Sequence, residues 1–392
     1  MMHGQTALRV GVIGIGNMGS EHCRMLAAGR IPDAVLTAVA DLRQERLDWA
    51  RASFPAVAVF DSAEGLISSG LCDAVIVAVP HPSHPRVTIA ALEGGLHVLC
   101  EKPIAVAAAE AHCMVEAAEK SGKTFALMFN QRTNGLYRRM KRLLDSGELG
   151  DIKRVSWIIT DWYRTQLYYD SGSWRATWAG EGGGVLLNQC PHQLDLLQWL
   201  CGMPVRVQAH CHEGKWHDIE VEDDVTVYLE FENGATGTFV ASTGDLPGVN
   251  RLEITCDRGR LLCEDGQVRV WRLPVSERQY CREARNAYEK PAYTEEILDD
   301  GGDNPQHAGV TAAFVQHILK GTPLVAEGAE GLRSLSLSNA IHLSGWLGAP
   351  VTLPPDEQLF LRELNRRRAA SRLKDGVDIT FVTDHSGSGK AL

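Results

Sequence analysis

Val10-Gly11-Val12-Ile13-Gly14-Ile15-Gly16-Asn17-Met18-Gly19 is a short apolar run that ends in Gly-x-Gly-x-x-Gly, close to the start of the chain. Glycines at these spacings let the backbone turn sharply and approach a pyrophosphate, which then rests on the N-terminus of the next helix. Alone the pattern is a weak signal, since glycine-rich turns arise for many reasons. Its context strengthens it. A second apolar run, Val35 to Ala40, ends in Asp41, about 20 residues past the glycines, where a carboxylate meets the hydroxyls of an adenosine ribose. Strand, glycine turn, helix, strand and acid make one half of a dinucleotide-binding fold. Gly14, Gly16, Asn17, Met18 and Gly19 are candidates to hold the pyrophosphate, and Asp41, with Arg43 beside it, the ribose. Asp41 repels a 2′-phosphate and so favours NAD over NADP, a preference that Arg43 softens.

The same alternation continues to about Phe129. Val10–Ile13, Val35–Ala40, Val57–Phe60, Ala74–Val79, His97–Leu99 and Phe125–Met128 read as strands separated by helical stretches. That order predicts an α/β Rossmann domain, a doubly wound parallel sheet, over residues 1–130. Asn134 to Ser146 reads as an amphipathic helix stopped by Gly147 and Gly150. The texture then changes. Ile152–Asp161, Val205–His210, Val225–Phe231, Ala235–Ala241, Arg251–Cys256, Arg260–Cys263 and Gln267–Trp271 read as strands, several joined by tight turns such as Glu232-Asn233-Gly234. They predict an α+β domain over residues 131–353 with a large, open, mostly antiparallel sheet. Helices are expected at about 184–201, 305–320 and 327–347. Arg164 to Gly183 is aromatic-rich and reads as a loop over the active site, and Ser276 to Gly302 as irregular. Residues 354–392 are expected to form a charged helix to about Lys374 and a flexible tail around Ser386–Lys390. An open sheet face needs cover, so a homodimer or homotetramer built through Val205–Trp271 is expected.

A chain of 392 residues exceeds one comfortable core, in keeping with two domains. Its formal net charge is -10 and its basic residues form no dominant block, which argues against nucleic acid or an anionic membrane as partner. Met1 to Leu8 shows no signal-peptide pattern, and no apolar run approaches the ~20 residues of a membrane span. The ten cysteines include no Cys-x-x-Cys pair, so reduced thiols and a cytoplasmic location are expected.

Two stretches carry chemistry. Cys100-Glu101-Lys102-Pro103 follows the strand His97–Leu99 and puts a lysine at the C-terminal end of a parallel strand, where ligands bind in such sheets. Beside an oxidised nicotinamide, positive charge and partial burial favour its neutral form, so it exchanges protons near neutral pH. A surface lysine in a turn is an equal reading of position alone. The second stretch, Gly182-Gly183-Gly184-Val185-Leu186-Leu187-Asn188-Gln189-Cys190-Pro191-His192-Gln193-Leu194-Asp195, spaces Asn188, His192 and Asp195 four and three apart, on one face if that part is helical. Pro191 weakens a helix there unless it lies in the first turn.

With these motifs in order, the chain resembles the glucose–fructose oxidoreductase, inositol dehydrogenase and MocA-type (Gfo/Idh/MocA) dehydrogenases over at least Val10 to Leu353. The resemblance rests on the early Gly-x-Gly-x-x-Gly, the Glu101-Lys102-Pro103 signature, and the triple glycine leading into His-x-x-Asp. It implies that Lys102 assists proton transfer and orients the reacting hydroxyl, that His192 contacts the same hydroxyl as acid or base, that Glu101 belongs to the cofactor site, and that the Lys102–Pro103 peptide is cis. It further implies that Pro80 and His84, in Pro80-His81-Pro82-Ser83-His84-Pro85, lie near the nicotinamide, and that Arg132, in Phe129-Asn130-Gln131-Arg132, binds substrate or, slightly favoured, braces the domain junction. One departure stands out: the family has aspartate where this chain has Asn188. Asparagine hydrogen-bonds a hydroxyl or an imidazole but does not stabilise an imidazolium, so weight shifts from His192 toward Lys102. Asp195, one turn on, is a second candidate to orient His192.

Asp161-Trp162-Tyr163-Arg164 and Trp174-Arg175 suit carbohydrate, with aromatic faces packing on C–H surfaces and arginine reaching hydroxyls. Tyr163, Trp174 and Arg175 join Lys102, Arg132, Asn188 and His192 as substrate-binding candidates, although such rings equally suit loop packing. His210, Cys211, His212 and His217 match no familiar zinc spacing, so no metal is expected. The leading expectation is NAD-dependent oxidation of a secondary hydroxyl of a sugar, glycoside or cyclitol. Two alternatives compete: glycoside cleavage through transient C3 oxidation and elimination, and a non-catalytic ligand sensor on the same scaffold.

Overall fold

The computed structural model describes residues 7–299, 302, 304–372 and 374. They fall into two compact units. One runs to Asn130 and takes in Pro305–Leu335; the other holds Gln131–Asn304 and the chain from Ser336 on.

The first unit is built on β1 (Leu8–Ile13), β2 (Ala34–Ala40), β3 (Ala58–Phe60), β4 (Ala74–Val77), β5 (His97–Cys100) and β6 (Phe125–Leu127). All pair in parallel, in the order β3-β2-β1-β4-β5-β6. The strands are short and nearly all apolar, as strands covered by helices on both faces are; β4 is buried at every position. The order reverses between β1 and β4. The loops leaving the C-terminal ends of these two strands therefore flank the crevice where ligands bind in such sheets.

Residues 305–335, expected with the second domain, belong to the first unit. Val310, Phe314 and Val315 of the helix Gln306–Lys320 join Val10, Val12, Ile76 and Leu99 in one buried cluster. Glu327 bridges antiparallel to Ala126 on the outer edge of β6. The apolar face of that helix and the open edge of that strand both needed cover, and packing assigned the segment rather than its place in the sequence.

The second unit carries β7 (Ile152–Ile159), β8 (Arg206–Glu213), β9 (Glu222–Glu230), β10 (Thr236–Ser242), β11 (Asn250–Cys256), β12 (Gly259–Glu264), β13 (Gln267–Arg272), β14 (Thr294–Leu298) and β15 (Val351–Thr352). Their order is β14-β13-β12-β11-β7-β10-β9-β8-β15. Every neighbouring pair is antiparallel except β7 with β10, so the sheet is mixed. Side chains alternate as a half-covered sheet requires: in β9, Val225, Val227 and Leu229 are buried while Thr226 and Tyr228 are exposed.

Two local expectations change. The helix expected from Gly184 spans Pro191–Cys201, with Pro191 in its first turn; proline's fixed φ and missing N–H suit that position and bar continuation upstream. The segment 276–302 is not wholly irregular, since it holds the helix Glu277–Glu283, capped by Ser276, and β14 on β13. β14 (TEEIL) is an exposed edge strand and shows no alternation to detect. The charged C-terminal helix spans Glu357–Ala370 and buries Phe360 and Leu364 within the second unit. The tail around Ser386–Lys390 lies outside the described residues.

Candidate active site

In the first unit the glycine turn has the form a dinucleotide needs. Gly14 has φ +85°, and a Cβ there would stand 2.7 Å from the Ala78 carbonyl oxygen. A Cβ on Gly19 would stand 1.8 Å from the Gly14 carbonyl oxygen. At Gly16 the nearest atom to such a Cβ is the Arg43 guanidinium tip, at 3.9 Å. Gly14 thus makes the turn, Gly19 lets the helix close on it, and Gly16 leaves room for a phosphate. The helix Asn17–Ala27 starts there with no side-chain cap and no acid in its first turn, so its N-terminal amides and dipole suit a pyrophosphate. Arg46, which sequence reasoning missed, braces the turn: Nε donates to the Ile15 carbonyl at 2.8 Å and Nη2 to Ser20 Oγ at 2.5 Å.

Asp41 follows β2. Its carboxylate accepts the Ile15 N–H at 2.8 Å and the Arg43 N–H at 2.9 Å, with Arg43 Nε 3.5 Å away. The acid is fixed beside the glycine turn, where it suits ribose hydroxyls and opposes a 2′-phosphate. These residues fit NAD.

Lys102 follows β5, half-buried, and the Lys102–Pro103 peptide is cis. Glu101 is buried. Its Oε1 lies 2.8 Å from His22 Nε2, and its Oε2 accepts the Lys102 N–H at 3.3 Å. Burial alone would raise its carboxyl, but the His22 hydrogen bond and the charges of His22, His307 and Lys102 outweigh burial and hold it at about 2. Its contacts make Glu101 the anchor of the Lys102 turn.

His84, expected by the nicotinamide, is 1% exposed. Its Nδ1 lies 2.7 Å from the Pro103 carbonyl and its Nε2 2.9 Å from the Val79 carbonyl. Burial pushes this imidazole below its ordinary range. Both nitrogens are occupied by backbone, so His84 ties the end of β4 to the Lys102-Pro103 turn rather than meeting a ligand. Pro80 opens that loop, just before the 3-10 turn His81–Ser83.

In the second unit His192 is the second residue of the helix Pro191–Cys201, half-buried. Asn188 lies in the turn before the helix, not on it; its N–H donates to the Gly184 carbonyl at 2.9 Å. Asn188 therefore shares no helical face with His192 and Asp195. Asp195, the second candidate to orient His192, is bound by Arg132. It forms a two-pronged pair with Arg132, Nε–Oδ2 2.8 Å and Nη2–Oδ1 2.7 Å, with side chains 2% and 0% exposed. Of the two roles weighed for Arg132 these contacts suit bracing, since they tie residues 131–133 to the helix Pro191–Cys201.

The carboxyl beside Asn188 comes from Glu181, which no motif announced. Asn188 Nδ2 donates to Glu181 Oε1, and the Ala176 N–H donates to Oε2 at 2.7 Å. Burial raises the Glu181 carboxyl above its ordinary range, against the pull of Arg175, Ala176 and Asn188. Asn188→Asp would set a second carboxyl on the first, and the two would share a proton. A pair whose folded pKa is raised stabilises below the ordinary carboxyl range, and that contribution is lost as pH rises through the raised value. The Tm deficit of Asn188→Asp against wild type is expected to widen from about pH 5 to about pH 8; a constant deficit would contradict the contact.

Gln189 Nε2 donates to Asn188 Oδ1 at 3.3 Å and to the Tyr168 hydroxyl at 3.4 Å. Arg175 Nη1 donates to the same hydroxyl at 2.7 Å and stacks on Trp174. Tyr163 is 40% exposed. Arg175 and Trp174 are thus brought together with the Asn188 turn. His217 is structural: Nδ1 lies 2.9 Å from Asp223 and Nε2 2.9 Å from the Arg164 carbonyl. His210 and His212 are exposed on β8, and among the described residues no three His, Cys, Asp or Glu side chains gather as metal ligands.

The glycine turn, the acid after β2 and the lysine after β5 define a dinucleotide-dependent oxidoreductase. Residues 8–129 match the oxidoreductase family's NAD-binding Rossmann fold, and residues 137–262 match the GFO/IDH/MocA C-terminal domain. The chain belongs to the GFO/IDH/MocA family and is an NAD-dependent oxidoreductase. It is 25% identical over 350 residues to the myo-inositol 2-dehydrogenase of Thermotoga maritima, covering 86% of this chain and 96% of that one. It is 32% identical over 273 residues to the inositol 2-dehydrogenase of Streptomyces avermitilis, covering 67% and 72%. The WlbA dehydrogenase of Bordetella pertussis, solved with NADH and UDP-GlcNAcA, superposes with a TM-score of 0.76 at 26% identity, covering 89% of this chain and all of that one.

Proposed function

We propose that this chain is a cytoplasmic dehydrogenase that oxidises a secondary hydroxyl of a sugar, glycoside or cyclitol. Bound NAD supplies the hydride acceptor, nicotinamide C4. The Lys102 amine takes the hydroxyl proton. His192 and Asn188 hydrogen-bond the substrate and orient its carbinol C–H, so that much of the rate comes from positioning. Gly14, Gly16, Asn17, Met18 and Gly19 hold the pyrophosphate, and Asp41 the ribose. Tyr163, Trp174 and Arg175 receive the ring.

The observation that carries this reading is the placement of Lys102. It stands where β5 ends, on a turn fixed by Glu101, His22 and His84, in a parallel sheet whose β1 and β4 loops fit NAD. Relatives named inositol 2-dehydrogenase, and a structural neighbour holding NADH with UDP-GlcNAcA, support a polyhydroxylated substrate. None of the ten cysteines forms a disulfide, in keeping with a reducing compartment, and no described helix is long and apolar enough to cross a membrane. A second copy, in a homodimer or homotetramer, covers the outward face of the large sheet, where Ile158, Thr226 and Tyr228 lie exposed; a monomer mass by light scattering at micromolar concentration would contradict that.

The test is a panel of inositols, free sugars and glycosides with NAD, following NADH and aglycone release together. NADH formed from at least one substrate without aglycone release supports the reading. Aglycone release that requires NAD without accumulating NADH would replace it with redox-neutral cleavage.

A further inference from the structure

Arg164 and Arg175 share one phenol ring. Their guanidinium carbons lie 5.0 Å and 4.4 Å from the centre of the Tyr168 ring. Arg164 also faces Trp162 at 5.3 Å, and Arg175 faces Trp174 at 4.7 Å. Among the described residues neither arginine forms an ion pair within 4.0 Å. Two carboxyls that feel them are otherwise engaged: Asp161 accepts from Asn250, and Glu181 from Asn188 and Ala176. The unit's fully buried arginine, Arg132, has its carboxylate in place. Arg164 Nε is buried with no hydrogen-bond partner, and its Nη1 reaches only the backbone of Tyr163.

Two like charges sharing a ring repel each other, and a buried donor left unmade costs about 1–3 kcal/mol. An oxyanion relieves both, because a guanidinium fork matches two oxygens of one group. The platform is also rigid. The Arg164 N–H donates to the Thr243 carbonyl at 2.9 Å, and its own carbonyl is held by His217. Tyr168 connects the pair, through Gln189, to the Asn188 turn.

We infer that Arg164 and Arg175, which share the Tyr168 ring, bind an anionic group of the substrate, a carboxylate or a phosphate carried on the sugar. This rests on the dehydrogenase reading above and narrows its substrate class. A ring seated by Asn188 and His192 directs its acidic substituent to the guanidiniums, which Tyr168 and Gln189 connect to the Asn188 turn.

The experiment compares initial rates of NADH formation at saturating NAD for glucose, myo-inositol, glucuronate and glucose 6-phosphate, in the wild type and in Arg164→Gln and Arg164→Glu. The wild type is expected to favour glucuronate or glucose 6-phosphate over glucose by about 10–100-fold in kcat/KM, the worth of charge-assisted hydrogen bonds. Whichever acidic sugar is preferred identifies carboxylate or phosphate. Raising salt should shrink that ratio, Arg164→Gln should collapse it toward one, and Arg164→Glu should invert it. The wild-type ratio and its salt dependence decide the matter even if a variant does not fold. Oxidation of glucose or myo-inositol at rates equal to or above the acidic sugars would overturn the inference and leave the dehydrogenase reading standing. Oxidation of none of the four would overturn the inference, and the wider panel above then decides the dehydrogenase reading.

Discussion

Lys102→Ala is expected to remove nearly all turnover while leaving coenzyme binding intact. General acid–base assistance is worth about 10²–10⁴-fold, and the lysine also orients the hydroxyl, so kcat should fall at least into that range. NADH affinity should stay within about threefold, because the pyrophosphate rests on the Gly14–Gly19 turn and the ribose on Asp41, neither of which depends on the Lys102 amine. Stopped-flow turnover and NADH fluorescence titration on the same preparation separate the two effects. A variant with near-normal kcat would show that another group takes the proton, with His192 first in line. A variant that also loses NADH would show that Lys102 holds the coenzyme.

Asp195→Ala is expected to cost about 3–5 kcal/mol of stability, since it leaves the Arg132 guanidinium charged and buried without its partner. The side chains of this pair are 2% and 0% exposed and joined by two hydrogen bonds, so water cannot replace the lost carboxylate. The double variant Arg132→Met with Asp195→Leu should recover much of that loss, because an apolar pair of similar volume removes both desolvation costs. Urea unfolding of the three proteins measures it. If Asp195→Ala unfolds within about 1 kcal/mol of wild type, the pair is not the brace described, and Arg132 returns as a candidate ligand.

The first unit was the more legible part of the chain because its chemistry is local. The glycine turn, its helix and Asp41 lie within one strand–helix–strand segment, and each has one dominant physical use. Lys102 could be placed because the strand before it was clear. What stayed hidden depends on contacts between distant residues. His22 meets Glu101 across 79 positions, and Arg132 meets Asp195 across 63; nothing in the local pattern distinguishes these residues from surface ones. His84 is a ligand candidate only through the family resemblance, and its burial and backbone contacts give it a structural role. Pro191 did carry a usable signal, since proline in a helix that survives belongs in the first turn. Taking it would have ended the face argument for Asn188. Glu181 had no signal of its own: an acid before three glycines reads as a turn residue until its carboxyl is seen beside Asn188.

Net transfer of a hydride from a carbinol carbon to NAD is the central claim, and deuterium tests it most directly. A substrate that the panel shows to be turned over is prepared with deuterium on the carbinol carbon, and the coenzyme is recovered and weighed by mass spectrometry. One deuterium per NADH, with one NADH for each sugar oxidised, is the expected result. Sugar consumed with the deuterium retained in the carbohydrate product and no net NADH would contradict it, and would assign this chain to redox-neutral chemistry instead.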